Sequence, residues 1–235
     1  MKTSTLVTMV ALTALGFAAP MTAGAAGFTN GSFETVAGGS NPAPGTFNTL
    51  FAGNTDITGW LVAAGNVDLV NGNYFAPDFI ASDGQNSVDL NGSTQGTITQ
   101  TFDTIAGTQY RVTFDLNSNV YDGNPNAIKN VLASAAGFSG VFGYPNALHP
   151  QGLGGPWQSH MFDFIATGAS TTLSFQSLEA SNCCYGAELD NVAVNPFAGG
   201  VPEPAAWMLM MVGFGGLGSV LRRRRAGLSV ALARL

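Results

Sequence analysis

Basic residues are scarce in this 235-residue chain, and most of them lie near its two ends. Between Gly27 and Gly200 the basic residues are Arg111 and Lys129, against 13 acidic ones, so this part carries a net charge of −11. Such an acidic surface repels nucleic acid and anionic lipid, which excludes nucleic acid as a partner. It suits neutral sugars or divalent cations better.

The signatures of catalysis are also missing. There is no G-x-S-x-G motif, and the two histidines, His149 and His160, have a spacing that matches no metal-binding motif. We therefore predict that the protein is not an enzyme and that both are surface or loop histidines. The alternative, a glycan-active hydrolase, needs two converging carboxylates. They would come from Asp83, Asp89, Glu179 and Glu188, of which Asp83 is expected in a turn and Asp89 facing solvent.

Two apolar segments lie near the ends of the chain. Lys2, the apolar stretch from Leu6 to Ala19 and small residues at 23–25 predict a secretory signal peptide over residues 1–26. The uncharged run over 205–221 would span roughly 25 Å as a helix, the short end of a membrane span. Basic residues beside a span resist translocation, so the four arginines at 222–225 predict that everything before the run lies outside the cytoplasm.

The C-terminal parts follow one another in a specific order: a Pro-Glu-Pro motif, a tryptophan, an apolar helix and an arginine cluster. Over residues 199–235 this order resembles the PEP-CTERM sorting signal in its tryptophan-containing variant. The resemblance implies an exosortase as processing enzyme, a precursor in the inner membrane, and delivery to the cell surface or extracellular matrix. The motif residues are Pro202, Glu203, Pro204, Trp207, Arg222, Arg223, Arg224 and Arg225.

Between these segments the dominant hydrophobic period is two. Tyr110, Val112, Phe114 and Leu116 alternate with polar residues, as a half-buried strand requires. Asn-Gly and Asp-Gly pairs mark turns between several such segments. We predict an all-β sandwich over residues 27–198, with Trp60 in its core.

A series of short motifs over this region resembles the DUF642 and choice-of-anchor group of secreted bacterial proteins. The motifs begin with Asn30-Gly-Ser-Phe-Glu34 and Ile57-Thr-Gly-Trp60 and end with Leu189-Asp-Asn-Val192. The resemblance implies a galactose-binding-like jelly roll that serves as a binding or structural module. In related carbohydrate-binding modules a structural calcium joins the first and last strands, which implies Glu34 and Asp190 as its ligands here, with the alternative that each acid faces solvent or holds a loop.

Sugar binding needs an aromatic surface beside hydrogen-bonding groups, because pyranose rings have apolar faces and polar edges. Trp157, Tyr121 and Tyr144 lie beside turn residues and are the candidates, with packing at the ends of the sandwich as the alternative. The chain has two cysteines, Cys183 and Cys184. In an exported protein we predict a disulfide between them, with an intermolecular bridge or two free thiols as alternatives.

The predicted function is therefore that of an exported, non-enzymatic module that binds or decorates extracellular polysaccharide. Two alternatives remain: the glycan-active hydrolase described above, and a purely structural matrix protein without a ligand.

Overall fold

The computed structural model describes residues 27–72, 74–179 and 184–197, together with Met211 and Phe214, which are helical. The predicted signal peptide, all eight residues of the sorting motif and Cys183 lie outside the described residues. Apart from Met211 and Phe214, so does the predicted membrane helix. No helix among the described residues is long and apolar enough to span a membrane.

Eleven strands and one short 3-10 helix, Asn146–Leu148, make up the described domain. The strands are β1 (Phe47–Phe51), β2 (Leu61–Ala64), β3 (Asn66–Asn71), β4 (Asn86–Asp89), β5 (Thr97–Asp103), β6 (Gln109–Ser118), β7 (Ile128–Ala135), β8 (Phe138–Pro145), β9 (Gln158–Ile165), β10 (Ser170–Ser177) and β11 (Ala187–Pro196).

The strands form two sheets in which every hydrogen-bonded pair is antiparallel. The six-stranded sheet has the order β1-β3-β4-β11-β6-β9, and the five-stranded sheet has the order β2-β5-β10-β7-β8. The two sheets enclose one apolar core. The predicted all-β jelly-roll sandwich is confirmed.

Alternating residues of the strands supply the core. In β6, Tyr110, Val112, Phe114 and Leu116 are all at least 93% buried, as their period predicts. Trp60 is also a core residue: its ring contacts Phe33 and Phe175, and its Nε1 donates a hydrogen bond to the carbonyl of Asn30.

The first segment of the domain lies against the last strand. The amide of Val192 donates to the carbonyl of Gly31 at 2.9 Å, and Asn191 takes a left-handed conformation (φ 50°) at a bulge in β11. A Cβ on residue 31 would lie 1.7 Å from the Val192 carbonyl oxygen, so a side chain cannot fit there. Close backbone approach therefore explains the glycine of the Asn30-Gly-Ser-Phe-Glu34 motif.

Both basic residues of this domain are used in ion pairs. Arg111 makes two hydrogen bonds to Asp163, at 2.8 and 2.9 Å, and its guanidinium lies 3.9 Å from the Phe197 ring centroid. The Lys129 side chain is 2% exposed, and its Nζ lies 2.7 Å from Asp122 and 3.7 Å from Glu179. Neither cation is available to neutralise the remaining acids.

The centre of the outer face of the six-stranded sheet is polar and largely buried, whereas the edge strands expose Phe51 and Met161 on the same face. The loops that leave β3, β6, β8 and β10 include the residues that cover it. Five acidic residues on this face have relative exposures between 0% and 9%: Asp68, Asp89, Asp115, Glu188 and Asp190. The buried centre of this face holds the candidate functional site.

Candidate functional site

A row of polar side chains crosses the outer face of the six-stranded sheet. Cross-strand pairing places Thr49 opposite Asp68, Asp68 opposite Asp89, Asp89 opposite Glu188, and Glu188 opposite Asn117. Residues directly opposite each other on antiparallel strands have Cβ atoms about 5 Å apart. Three carboxyl groups therefore lie side by side on β3, β4 and β11, and we call Asp68, Asp89 and Glu188 the acidic row.

Burial dominates the electrostatics of the acidic row. Burial, together with a smaller effect of the Asp68 charge, raises the pKa of Asp89 to about 7, although the hydrogen bonds that Asp89 accepts act to lower it. Burial also raises the pKa of Asp68, and it raises that of Glu188 well above its ordinary value with the charge of Asp89 adding to the effect. Burial disfavours the charged form, and each nearby negative charge does the same.

The hydrogen bonds of the row differ from one acid to the next. Asp89 accepts from the amides of Asn91 (2.8 Å) and Gly186 (3.0 Å) and from the Asn119 side chain (3.0 Å). Asp68 accepts through Oδ1 from the Thr49 hydroxyl at 2.6 Å, and Oδ2 has no hydrogen-bond donor among the described residues. Asp68 therefore has an oxygen to offer to a ligand.

A cavity of about 570 Å³ lies over the Asp68 and Asp89 end of the row. Its lining combines carboxylates, hydroxyls and aromatic rings: Phe47, Thr49, Asp68, Val70, Tyr74, Phe75, Phe79, Asp89, Ser93, Asn119, Tyr121, Cys184 and Tyr185. Its volume is in the range of small-molecule sites, and an apolar wall with a few polar groups is typical of them.

Aromatic rings from two loops form one wall of the cavity. Phe75 stacks on Tyr121 with ring centroids 4.9 Å apart, and Tyr74 lies 4.3 Å from Phe75. Phe75 is 54% exposed. Its backbone is left-handed (φ 44°), a conformation that a bulky residue rarely adopts. Strained residues of this kind are concentrated at binding sites.

A buried carboxylate holds the aromatic loops in place. Asp78 accepts hydrogen bonds from the amides of Gly152 and Gly154, at 2.8 to 3.0 Å, and from the Tyr121 hydroxyl at 2.9 Å. Burial acts to raise its pKa, but these bonds outweigh burial and lower it. Asp78 therefore joins the loop after β3 to the loop after β8 and positions the Tyr121 ring.

The three aromatic candidates from the sequence have different places. Tyr121 lines the cavity. Trp157 lies outside it and donates from Nε1 to the Ile80 carbonyl at 2.8 Å, so it holds the loop after β3. Tyr144 was wrongly chosen: it is completely buried in the core, and its hydroxyl donates to the Pro156 carbonyl. A side chain without exposed surface cannot contact a sugar.

Glu34 and Asp190, the predicted calcium ligands, bind one loop from two sides. Glu34 Oε1 accepts from the amides of Gln85 (2.6 Å) and Asn86 (2.7 Å), and Asp190 Oδ2 accepts from that of Asp83 (2.8 Å). Asp190 Oδ1 accepts from the Asn191 amide. Among the described residues no group of three acids, histidines or cysteines is placed to hold a metal. Calcium at these two acids therefore stays a prediction.

Cys184 is disulfide-bonded and takes a left-handed conformation (φ 70°) where it lines the cavity. The proposed partner, Cys183, lies outside the described residues, so the ring between the two stays a prediction. The neighbouring Tyr185 adds another aromatic ring to the cavity.

The predicted positions of the polar residues considered for catalysis were partly wrong. Asp89 does not face solvent: it is 1% exposed, because the loops cover that face. His149 lies in a loop as predicted but is 1% exposed, with Nδ1 2.8 Å from Asn117 Oδ1. Of the four carboxylates considered for hydrolysis, Asp89 and Glu188 are direct cross-strand neighbours. Glu179 is paired with Lys129 instead.

Sequence reasoning missed most of the cavity. Asp68 follows Val67 in a strand that is buried on both faces, so period two gave no sign of its role. The adjacent rings of Tyr74 and Phe75, in a loop between two glycines, were the signal that could have found the aromatic wall.

Comparison with known families covers this domain almost completely. The family model described as "Protein of unknown function (DUF642)" matches residues 26–195. The chain belongs to the DUF642 family. A second model, for the PEP-CTERM protein-sorting motif, matches residues 200–225 and so includes all eight predicted motif residues. This DUF642 protein is therefore exported and sorted to the cell envelope.

Individual relatives of this DUF642 protein are distant. Halomucin of Haloquadratum walsbyi is 31% identical over 167 residues, which is 70% of this chain but 2% of halomucin. A family 35 carbohydrate-binding module from Clostridium thermocellum has 12% identity and a TM-score of 0.41, over 64% of this chain and 99% of that one. A CBM4 structure has 14% identity and a TM-score of 0.39, over 72% of this chain and 99% of that one.

Proposed function

We propose that the protein is a non-catalytic carbohydrate-binding module at the cell surface, and that its ligand is an extracellular polysaccharide. The aromatic cavity over the acidic row is the observation that supports this function. The exposed ring of Phe75, which stacks on Tyr121, offers an apolar surface that matches the apolar face of a pyranose. Asp68 Oδ2 and the Ser93 hydroxyl, which line the same cavity, suit its hydroxyl groups.

Binding without turnover follows from the state of the two neighbouring acids. Glycoside hydrolysis needs both carboxyl groups at the bond that is cleaved. Glu188 is not among the residues that line the cavity, and both Asp89 oxygens already accept hydrogen bonds from the protein. A sugar in this cavity can reach Asp68 but not a second free carboxyl group of the row.

Replacing Phe75 with alanine should weaken glycan binding at least tenfold, which is about 1.4 kcal/mol. The ring is half exposed, so the substitution removes the stacking surface with little effect on the core. Binding of cell-derived polysaccharide to the purified protein, measured by calorimetry or on a glycan array, is the test.

Phe51→Ala is the matched control, because Phe51 is 62% exposed and lies outside the cavity. It should bind as the unaltered protein does. Equal affinity of the Phe75 and Phe51 variants would contradict a role for this cavity, and release of reducing sugar would favour the hydrolase.

Calcium at Glu34 and Asp190 is a separate proposal. The ion would neutralise two acids that meet at one loop in a domain of net charge −11. At a hundredfold excess over its Kd, calcium should then raise the free energy of unfolding by about 2.7 kcal/mol relative to EDTA. Thermal unfolding of the unaltered protein and of Asp190→Asn measures this: equal midpoints in calcium and EDTA would exclude the site.

The sorting motif supports the proposed route of the protein to the cell surface. An exosortase would process the chain near Pro202-Glu203-Pro204, after a stage in which the segment over 205–221 holds the precursor in the inner membrane. The cavity-bearing domain would then meet exopolysaccharide outside the cell.

A further inference from the structure

We infer that the glycan in this cavity carries positive charge, as a sugar unit with a free amino group. The inference rests on the proposed function and adds the chemical class of the ligand. Three observations support it: the acidic lining of the cavity, the unpartnered oxygen of Asp68, and the exposed ring of Phe75 in the same lining.

The charge of the lining has one sign. Asp68 and Asp89 line the cavity, and among the residues that the structure describes the rest of the lining contains no lysine, arginine or histidine. Arg111 and Lys129, the basic residues of the domain, are held in ion pairs with Asp163 and with Asp122 and Glu179. A concave site with charge of one sign concentrates ligands of the opposite sign and repels carboxylated sugars.

Asp68 is the group that an amine would meet. Its side chain is nine-tenths buried, Oδ1 accepts from Thr49 at 2.6 Å, and Oδ2 has no donor among the residues that the structure describes. Asp68 Oδ2 is not fully buried, so a ligand can reach it, and an ammonium group supplies the shorter, stronger kind of hydrogen bond.

The aromatic wall favours the same ligand. Tyr74 and Phe75 lie 4.3 Å apart beside Asp68 in the cavity lining, and Phe75 stacks on Tyr121. A cation within about 6 Å of a ring centroid is attracted to the ring face, most strongly where water is excluded. A neutral sugar would use these faces for stacking alone and would leave the charge of Asp68 unneutralised.

The test compares two tetrasaccharides on the purified protein at a pH of about 6, where the amine is protonated and its positive charge favours the ionised form of Asp68. One is a β-1,4-linked glucosamine tetrasaccharide and the other is its N-acetylated counterpart. We expect the aminated probe to bind at least tenfold more tightly at low salt. Added salt should reduce this preference, because it screens the charge interaction.

Asp68→Asn should remove the preference while leaving residual binding through the rings, since asparagine keeps the shape of the side chain and can still accept from Thr49. The control is Asp103→Asn, at the end of β5 in the other sheet, which removes the same charge and should keep the preference. If Asp68→Asn fails to fold, the affinities of the unaltered protein for the two tetrasaccharides, measured over a series of salt concentrations, still test the inference.

Each other outcome contradicts the inference in a different way. Equal binding of the two tetrasaccharides would overturn the amine and leave the proposed carbohydrate function intact. If neither tetrasaccharide binds, both the amine inference and the proposed carbohydrate function are overturned. A lysine-rich peptide that binds as tightly as the aminated sugar would show that the cavity recognises amines in general, and would overturn the assignment to a glycan.

Discussion

Replacing Lys129 with alanine should lower the free energy of unfolding by about 3 to 5 kcal/mol. Lys129 Nζ is the cation between Asp122 and Glu179, and its side chain is 2% exposed. Removing it leaves two poorly solvated carboxylates facing each other's charge without compensation. Urea unfolding of the variant and the unaltered protein, followed by circular dichroism, measures the loss.

Two further variants separate charge from packing. Lys129→Met keeps the apolar stem and should recover only part of the loss, because the acids remain unpaired. Arg111→Met removes the other cation of the domain, whose pair with Asp163 is about one-third exposed, and should cost much less than the loss of Lys129 because solvent screens the pair. A Lys129→Met variant as stable as the unaltered protein would contradict the argument.

The sequence contained the information that places Lys129 inside. Val131, Ala133 and Ala135 follow it at steps of two in β7, and all three are buried. Lys129 shares their face of the strand and lies opposite Tyr144 in β8. Period two therefore predicts a buried lysine here, and a buried lysine requires acidic partners. Which acids those are depends on loops, whose paths period two does not determine.

The architecture could be predicted because alternation is a local property. Ile98 and Phe102 in β5, and Leu173 and Phe175 in β10, have the spacing of residues on one face, and the structure buries all four. The order of strands in the sheets is not local in this sense, because β11 pairs with β4 and β6, far from it in the chain. The family resemblance supplied the jelly roll that alternation alone could not distinguish from another sandwich.

The acidic row shows where alternation stops being informative. Asp89 follows Val88 and precedes Leu90, a pattern that puts it on the opposite face from the core. The pattern is the same whether that face contacts water or a covering loop. The prediction that Asp89 faces solvent was therefore wrong. The covering loops are fixed by single contacts such as that of Asp78 with Gly152, 74 residues apart. Period two does not predict such contacts.

The covered acids make stability depend on pH, and we expect the domain to be more stable at a pH of about 5 than at about 8. Burial raises the pKa of Asp89 to about 7, from an ordinary value of 3.8, and Asp68 and Glu188 face it from the two adjacent strands. The folded state therefore binds more protons than the unfolded state between these two values. Stability is full below the ordinary pKa and is lost as pH rises through about 7.

The size and direction of the effect can be checked on one residue. For a pKa raised from 3.8 to about 7, the loss between pH of about 5 and about 8 is on the order of 3 kcal/mol. Asp89→Asn keeps an oxygen that can accept from Asn91 and Gly186 but cannot ionise. Its unfolding free energy should therefore vary less with pH, and it should exceed that of the unaltered protein on the alkaline side.

Asp103→Asn, which removes a charge in the other sheet, should leave the dependence of the unfolding free energy on pH unchanged.

Acids that accept several hydrogen bonds act in the opposite direction at low pH. For Asp115, burial acts to raise the pKa, but hydrogen bonds from Ser159, Ser82 and Asn191 outweigh it and lower the value. Its contribution is lost as pH falls through that lowered pKa, so the stability maximum should lie on the mildly acidic side. A maximum above pH of about 7, or an Asp89→Asn profile parallel to that of the unaltered protein, would contradict the raised pKa of Asp89.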